Sequence, residues 1–261
     1  MRIIVCMKQG LDPKTVKISR SREELDMREA VRKTRFADKV ALEAALTLRA
    51  ETGAGEVIAL VVGDAAADDT AREAIAIGAE RAALVLAPPK LSGKGMTALL
   101  AAAVERLGGA DLLVTGQPDE LDSTGSIAPR LATALGLPLL MDVLAFDGRS
   151  GGLSAVACGD GGGLRMAAAL PAVAEVSARA RRPRYPLPAR IATAWEPGLV
   201  ETWTAGDLGV SAEMLAPDTE VGGLVLGAER QRGQTIHGSP PDAARELVAQ
   251  LRGRFRGQRL I

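Results

Sequence analysis

Short runs of consecutive apolar residues alternate along this chain with segments whose apolar side chains recur every three or four positions. Residues 2–7 (RIIVCM) form the first run, and such a run predicts a strand buried on both faces of a parallel sheet. From residue 38 onward Val40, Leu42, Ala45, Leu46 and Leu48 recur at helical spacing, and Gly53 and Gly55 mark the end of that helix. Residues 57–62 (VIALVV) predict a second buried strand, closed by Gly63. A second helix over 70–78 and a third strand over 82–86 follow. The alternation continues with a helix from 96 to 107, a strand over 112–115 and a helix from 126 to 135. Strands alternating with helices of this length indicate right-handed crossovers and a doubly wound α/β fold with a mostly parallel, Rossmann-like sheet. Ligands of such sheets bind beyond the carboxyl ends of the strands. The loops that begin at Met7, Gly63 and Gly116 are therefore the place to look for function.

After Leu137-Pro138 the rhythm changes. Residues 143–146, 151–158 and 172–176 are short runs separated by glycine-rich turns, which predict a hairpin and an added strand. From Arg179 onward, arginines alternate with Pro183, Pro186 and Pro188, and periodic patterning does not return until a last helix over 241–251. The expected division is an α/β core over 1–184 and, over 185–261, an exposed loop and C-terminal extended arm that packs against another chain.

Composition narrows the functions available. The chain of 261 residues carries 32 Lys+Arg and 32 Asp+Glu, a net charge of zero, with only three Phe, two Trp and one Tyr. A nucleic-acid binder needs a basic excess, and a single-strand binder adds aromatic platforms, so no nucleic-acid partner is expected. The core must be aliphatic. Two cysteines and one histidine cannot build a zinc site or an iron–sulfur cluster within one chain. No apolar stretch is long enough to span a bilayer, so no membrane insertion is expected. Sparse cysteine and the absence of a secretory pattern predict a cytoplasmic location.

The richest loop is Gly116-Gln117-Pro118-Asp119-Glu120-Leu121-Asp122-Ser123-Thr124-Gly125-Ser126. Pro129 belongs in the first turn of the helix that follows, which places an N-cap near Ser126. Free amides, the helix dipole and the hydroxyls of Ser123, Thr124 and Ser126 would make an anion cradle; an ordinary capped helix is the alternative. The glycine run 159–163 precedes no helical pattern and reads as a hairpin turn rather than a phosphate loop. Cys6 reads as a small buried hydrophobe. Neither a Ser-His-Asp set nor a pair of catalytic carboxylates is evident, so no catalytic residue is assigned. Trp195 and Trp203, both in the weakly patterned region, suggest an interface.

Taken in order, these segments resemble the beta subunit of electron transfer flavoproteins over nearly the whole chain. The landmarks are residues 4–9 (IVCMKQ), 38–45 (DKVALEAA), 70–81 (TAREAIAIGAER), the loop 116–129, Asp160-Gly161-Gly162 before Leu170-Pro171-Ala172-Val173, Pro183-Arg184-Tyr185, and 201–210 (ETWTAGDLGV). The resemblance implies an electron-carrier subunit rather than an enzyme. Its partners would be an alpha subunit that holds the redox-active FAD, a flavin dehydrogenase as donor, and a quinone oxidoreductase or similar acceptor. This chain would bind AMP structurally, or a second FAD in an electron-bifurcating form; an autonomous ATP-binding α/β protein is the reading from another class.

Carried over position by position, the nucleotide site comprises Cys6, Arg35, Phe36, Ala37 and Asp38, then Val62 and Gly63, and Asp122, Ser123, Thr124, Gly125, Ser126 and Ile127. The partner-docking loop falls at 185–195, with Tyr185, Leu187, Pro188, Ile191 and Trp195, and Leu187 as its anchor. The chain departs from the resemblance in having Arg35-Phe36-Ala37 for the usual Asn-Pro-Phe and Gly116-Gln117-Pro118 for Gly-Lys-Gln. Ala192 to Glu196 replaces the usual lysine-rich run. Arg35 would contact a phosphate or point into solvent.

Overall fold

In a computed structural model the chain is described at residues 1–19, 24–26, 28–53, 55–88, 91–118, 127–147, 152–159, 162–217 and 233–254. The elements in chain order are β1 (Arg2–Met7), β2 (Gln9–Leu11), β3 (Lys17–Ser19), β4 (Glu24–Asp26), β5 (Arg32–Thr34), α1 (Phe36–Thr52), β6 (Glu56–Gly63), α2 (Asp68–Ile77), β7 (Arg81–Leu86), α3 (Gly93–Arg106), β8 (Leu112–Gly116) and α4 (Ile127–Leu135). There follow β9 (Leu139–Asp147), β10 (Leu153–Gly159), β11 (Gly162–Ala168), β12 (Ala172–Val176), α5 (Pro188–Thr193), β13 (Val200–Thr204), α6 (Ala212–Leu215) and α7 (Pro240–Arg254).

Among the described residues nine strands form one sheet in the order β11-β10-β9-β12-β8-β1-β6-β7-β13. The chain runs outward from β1 through β6 to β7 and then returns to the other side of β1 as β8. That reversal makes the β1/β8 boundary the switch point where doubly wound folds open a crevice. The α/β core expected from the alternation is thus present, with β1, β6, β7, β8 and β12 all parallel.

Alternating side chains of β1 and β6 sort the helices onto two layers. Ile3, Val5, Val57, Ala59 and Val61 pack with α1 and α2, whereas Ile4, Cys6, Ile58 and Leu60 pack with α3 and α4. Each such aliphatic side chain removed from water contributes roughly 1.5–3 kcal/mol before conformational entropy is counted. Helix α1 ends where Gly53 takes a left-handed conformation (φ 69°) and its N–H bonds to the Arg49 carbonyl.

Beyond β12 the sheet continues with β9, still parallel, and turns antiparallel at β10 and β11. Gly159 pairs with Gly162 across β10 and β11, so the glycine run closes a hairpin. Asp142 adopts a left-handed backbone (φ 53°) beside a register shift between β9 and β12. Two small ribbons, β2 with β5 and β3 with β4, rise from the segment that follows β1.

The expected boundary at 184/185 requires correction. Compact units divide at Gly222/Gly223, and residues 185–217 belong with the α/β unit. The reason is β13, which pairs in parallel with β7 and inserts Trp203 into the α3/α4 layer. Trp203, expected at an interface, is only 6% exposed, with Arg106 over its ring at 5.1 Å. The second unit, 223–261, contains α7, whose Leu247, Val248 and Leu251 are exposed.

Among the described residues no helix is long and apolar enough to cross a membrane, and no group of three or more His, Cys, Asp or Glu could hold a metal ion.

The two tryptophans give a direct check of this architecture. Trp203→Ala is expected to lower stability by about 3–5 kcal/mol, and Trp195→Ala by no more than about 1 kcal/mol, both read from urea denaturation. Equal losses would contradict the placement of β13.

Candidate functional site

Three of the strand ends nominated by the topology belong to the neighbouring strands β8, β1 and β6. Their closeness depends on Gly116, the last residue of β8. A Cβ there would stand 2.5 Å from Asp38 Oδ1 and 2.6 Å from the Ala37 carbonyl carbon, so only glycine lets the first turn of α1 settle over the strand ends. The N-terminal turn of α1 is thereby brought to the switch point.

Asp38 is buried there, and its Oδ2 accepts the Lys8 N–H at 2.9 Å, joining the exit of β1 to α1. Arg35, just before α1, is buried as well. Its guanidinium lies 3.9 Å from Asp38 Oδ1 and donates to the Gln117 carbonyl at 2.7 Å. Gly10 leaves room for its stem, since a Cβ there would stand 3.0 Å from Arg35 Cγ. Of the two fates expected for Arg35, exposure to solvent is excluded: the side chain lines a cleft.

That cleft measures about 340 Å³ and lies over the ends of β1 and β6. Lys8, Gln9, Arg32, Arg35 and Asp64 supply its polar lining, and Val62, Ala67, Ala87, Leu91 and Met96 belong to its apolar one. Arg32 is paired with Asp64. An apolar wall facing several cations suits a planar base joined to phosphate, and the volume falls within the usual range of small-ligand sites.

Cys6 sits next to this region on the α3/α4 side. Burial first, and the Asp38 carboxylate second, push its thiol up to about 12, so it stays protonated at neutral pH and supplies no nucleophile. Its register neighbour on β8 is Thr115, whose own neighbour on β12 is the buried Glu175. Thr115 Oγ1 is buried with no hydrogen-bond partner among the described residues.

Of the other expected site residues, Val62 and Gly63 line the cleft, and Ala37 is buried beneath Gly116. Phe36 is largely exposed and Ile127, half-buried, opens α4. Asp122 to Ser126 lie outside the described residues. Lys8, Arg32 and Asp64 escaped the sequence reading because charged residues in short ribbons and loops carry no periodic signal. Gln117 was visible within the loop 116–126 and as a departure from a family motif, but with no role of its own. Its side chain donates from Nε2 to Asp142 Oδ1 at 3.3 Å and accepts at Oε1 from the Ala178 N–H at 3.3 Å.

The second expected site is the loop 185–195. Its entry is fixed by Arg184, which donates from Nε to Glu43 Oε2 at 2.6 Å and from Nη2 to Oε1 at 2.9 Å. Arg181 reaches Thr47 Oγ1 at 2.9 Å. Pro188 opens the short helix α5, where Pro is pre-organised for a first turn. Tyr185 (89%), Leu187 (64%), Ile191 (47%) and Trp195 (60%) are all exposed, while Ala194 is buried in the α1/α2 layer.

Burial pushes the Glu43 carboxyl up, but the side-chain and backbone hydrogen bonds from Arg184 outweigh it and hold the group below the ordinary carboxylate range. A depressed carboxylate stabilises the fold above its unfolded pKa of about 4.3, and that contribution is lost as pH falls through the folded value. The gap in urea midpoint between wild type and Glu43→Gln is therefore expected to narrow as pH is lowered from 7 to about 3. A gap that stays constant would remove Glu43 as the titrating group.

The family model described as the electron transfer flavoprotein domain matches residues 27–207, well over half of the chain. The electron transfer flavoprotein subunit beta of Bacillus subtilis is 25% identical over 82% of this chain and 84% of its own length. The subunit of the same name from Syntrophomonas wolfei is 30% identical over 57% of this chain and 59% of its own. Protein FixA of Azorhizobium caulinodans is 37% identical over 52% and 50%. The chain thus spans between half and three-fifths of the length of two of these three relatives.

Proposed function

Since the chain belongs to the electron transfer flavoprotein family, on the side of its beta subunits, we propose that it forms a heterodimeric electron carrier with an alpha subunit holding FAD. The pair takes electrons from a flavin dehydrogenase and delivers them to a quinone oxidoreductase or similar acceptor. The observation that carries this reading is the anchored loop 185–195. It presents Tyr185, Leu187, Ile191 and Trp195 to solvent on a backbone held at Arg184 and Ala194, an arrangement suited to docking another protein.

Within the pair, this chain binds AMP in the cleft over β1 and β6. The residues fit that ligand: Arg35, Arg32 and Lys8 would hold the phosphate, and Val62, Ala87, Leu91 and Met96 would hold the base. Asp38 keeps Arg35 and the Lys8 backbone in place. No residue of this chain is assigned a bond-making step; its part is to bind, orient and dock. The alpha subunit's FAD supplies the electron carriage when bound. A second FAD in this cleft, as in an electron-bifurcating member, is the alternative ligand.

Co-expression with the alpha subunit should give a yellow heterodimer. Denaturation should release FAD and AMP, identified by chromatography, while FAD alone in doubled amount would mark the bifurcating form. A pair isolated gently without flavin absorbance would overturn the proposal. In the docking loop, Leu187→Ala should slow reduction by the donor about tenfold, as for loss of a buried interface anchor, with the heterodimer intact. Unchanged kinetics with the natural donor would remove the loop from docking.

A further inference from the structure

Helix α2 carries one side chain that ties the docking loop to it. Arg72 donates from Nε to Asp68 Oδ2 at 2.7 Å, one turn earlier, which fixes the plane of the guanidinium. From Nη1 it donates to the Ala194 carbonyl at 2.9 Å, and it lies over the Trp195 ring at 4.5 Å from the centroid. Helix α5 has six residues, none of them buried. Six residues are too few to hold a helix in water unaided, so its form depends on its ends.

One end is held by Arg184 on Glu43. The other is held by the Ala194 methyl and by Arg72. Between the two lie the exposed side chains of Tyr185, Leu187 and Ile191, and Trp195 continues that apolar surface.

We infer that Arg72 is the positioning residue of the docking surface, and that Trp195, stacked on it, is the side chain that discriminates among redox partners. This rests on the docking reading given above and goes beyond it. The charge around the surface specifies the occupant. Residues 179–190 contain five arginines and no acid, and Arg182 and Arg190 are exposed. The partner is a flavin dehydrogenase that offers an apolar pocket rimmed by carboxylates, drawn in by attraction that salt screens.

The test uses the flavin-loaded heterodimer and the flavin dehydrogenase of the source cells, purified by its capacity to reduce the wild-type heterodimer. Arg72→Met should raise KM for the heterodimer about tenfold through loss of a charged hydrogen bond and the stacking contact. The kcat and the amount of flavin reduced by dithionite should stay as in wild type. Arg72→Lys, which keeps the charge but not the fork, should recover part of the loss. Trypsin should cut the Arg190–Ile191 bond faster in Arg72→Met. Raising ionic strength should raise the wild-type KM.

A merely structural role would shift the melting temperature without moving KM, and that result overturns the inference. It is also overturned if Leu187→Ala raises KM while Arg72→Met and Trp195→Ala leave it unchanged, or if KM falls with added salt. Should Arg72→Met fail to fold, Trp195→Ala, altered at an exposed position, decides the matter by the same KM readout. If Leu187→Ala itself changes nothing, the failure lies with the docking reading.

Discussion

The central strands are enclosed on both faces, and that enclosure dictates where everything polar can go. In β1 every residue from Ile3 to Met7 is buried, with Ile3, Val5 and Met7 turned to α1 and α2, and Ile4 and Cys6 to α3 and α4. A charged side chain midway along such a strand would lose its hydration with nothing to replace it. Polar groups therefore collect at the strand ends, where the Lys8 N–H bonds to Asp38 and the Gln117 N–H to the Val176 carbonyl. Gly116 completes the arrangement, because its missing side chain lets the first turn of α1 reach the ends of β1 and β8. The Arg35–Asp38 pair, the Lys8 N–H bonded to Asp38 and the cationic cleft all follow from that approach.

The loop 185–195 meets a different constraint. The stretch before it is rich in Arg and Pro and offers few aliphatic side chains to bury, so it is attached by hydrogen-bonding forks instead. Arg184 on Glu43 is a two-pronged contact of the stronger kind, since a guanidinium matches a carboxylate plane. Glu43 lies on α1 and Arg72 on α2, the helices of one layer. The surface they hold is therefore referred to the same rigid layer that covers the sheet, while the cationic cleft opens at the strand ends. The exposed loop and the cleft are built on the same scaffold from different side chains.

The parallel core was legible because its signals are aliphatic and periodic: continuous runs for β1, β6, β7 and β8, and three-to-four spacing for α1 to α4. What sequence patterning lost was the edge. In β13 only Trp203 is fully buried, with Val200 partly so and Glu201 and Thr202 exposed, so one buried position in five residues leaves no alternation to detect. The ribbons β2 with β5 and β3 with β4 were lost for the same reason. At the site, the strand ends were predictable from topology, and Arg35, Asp38, Val62 and Gly63 stand there. Arg72 and Glu43 were not predictable, because a surface helix is full of charges and nothing local marks the two that reach a segment more than a hundred residues away.

Aromatic side chains acquire weight from their scarcity. The aliphatic core shows that folding here does not depend on rings, and Trp203 is the one tryptophan it takes in. Tyr185 and Trp195 stand outside it, both mostly in water, within eleven residues of each other. Exposure forfeits most of what burying a ring contributes, and the contact of Trp195 with Arg72 returns only about 0.5–1 kcal/mol at an exposed site. Folding alone gives little reason for two large rings to occupy these positions. A second protein that covers them does, because the area left in water on folding is then buried on association, with its orientation already set by Arg72 and Arg184.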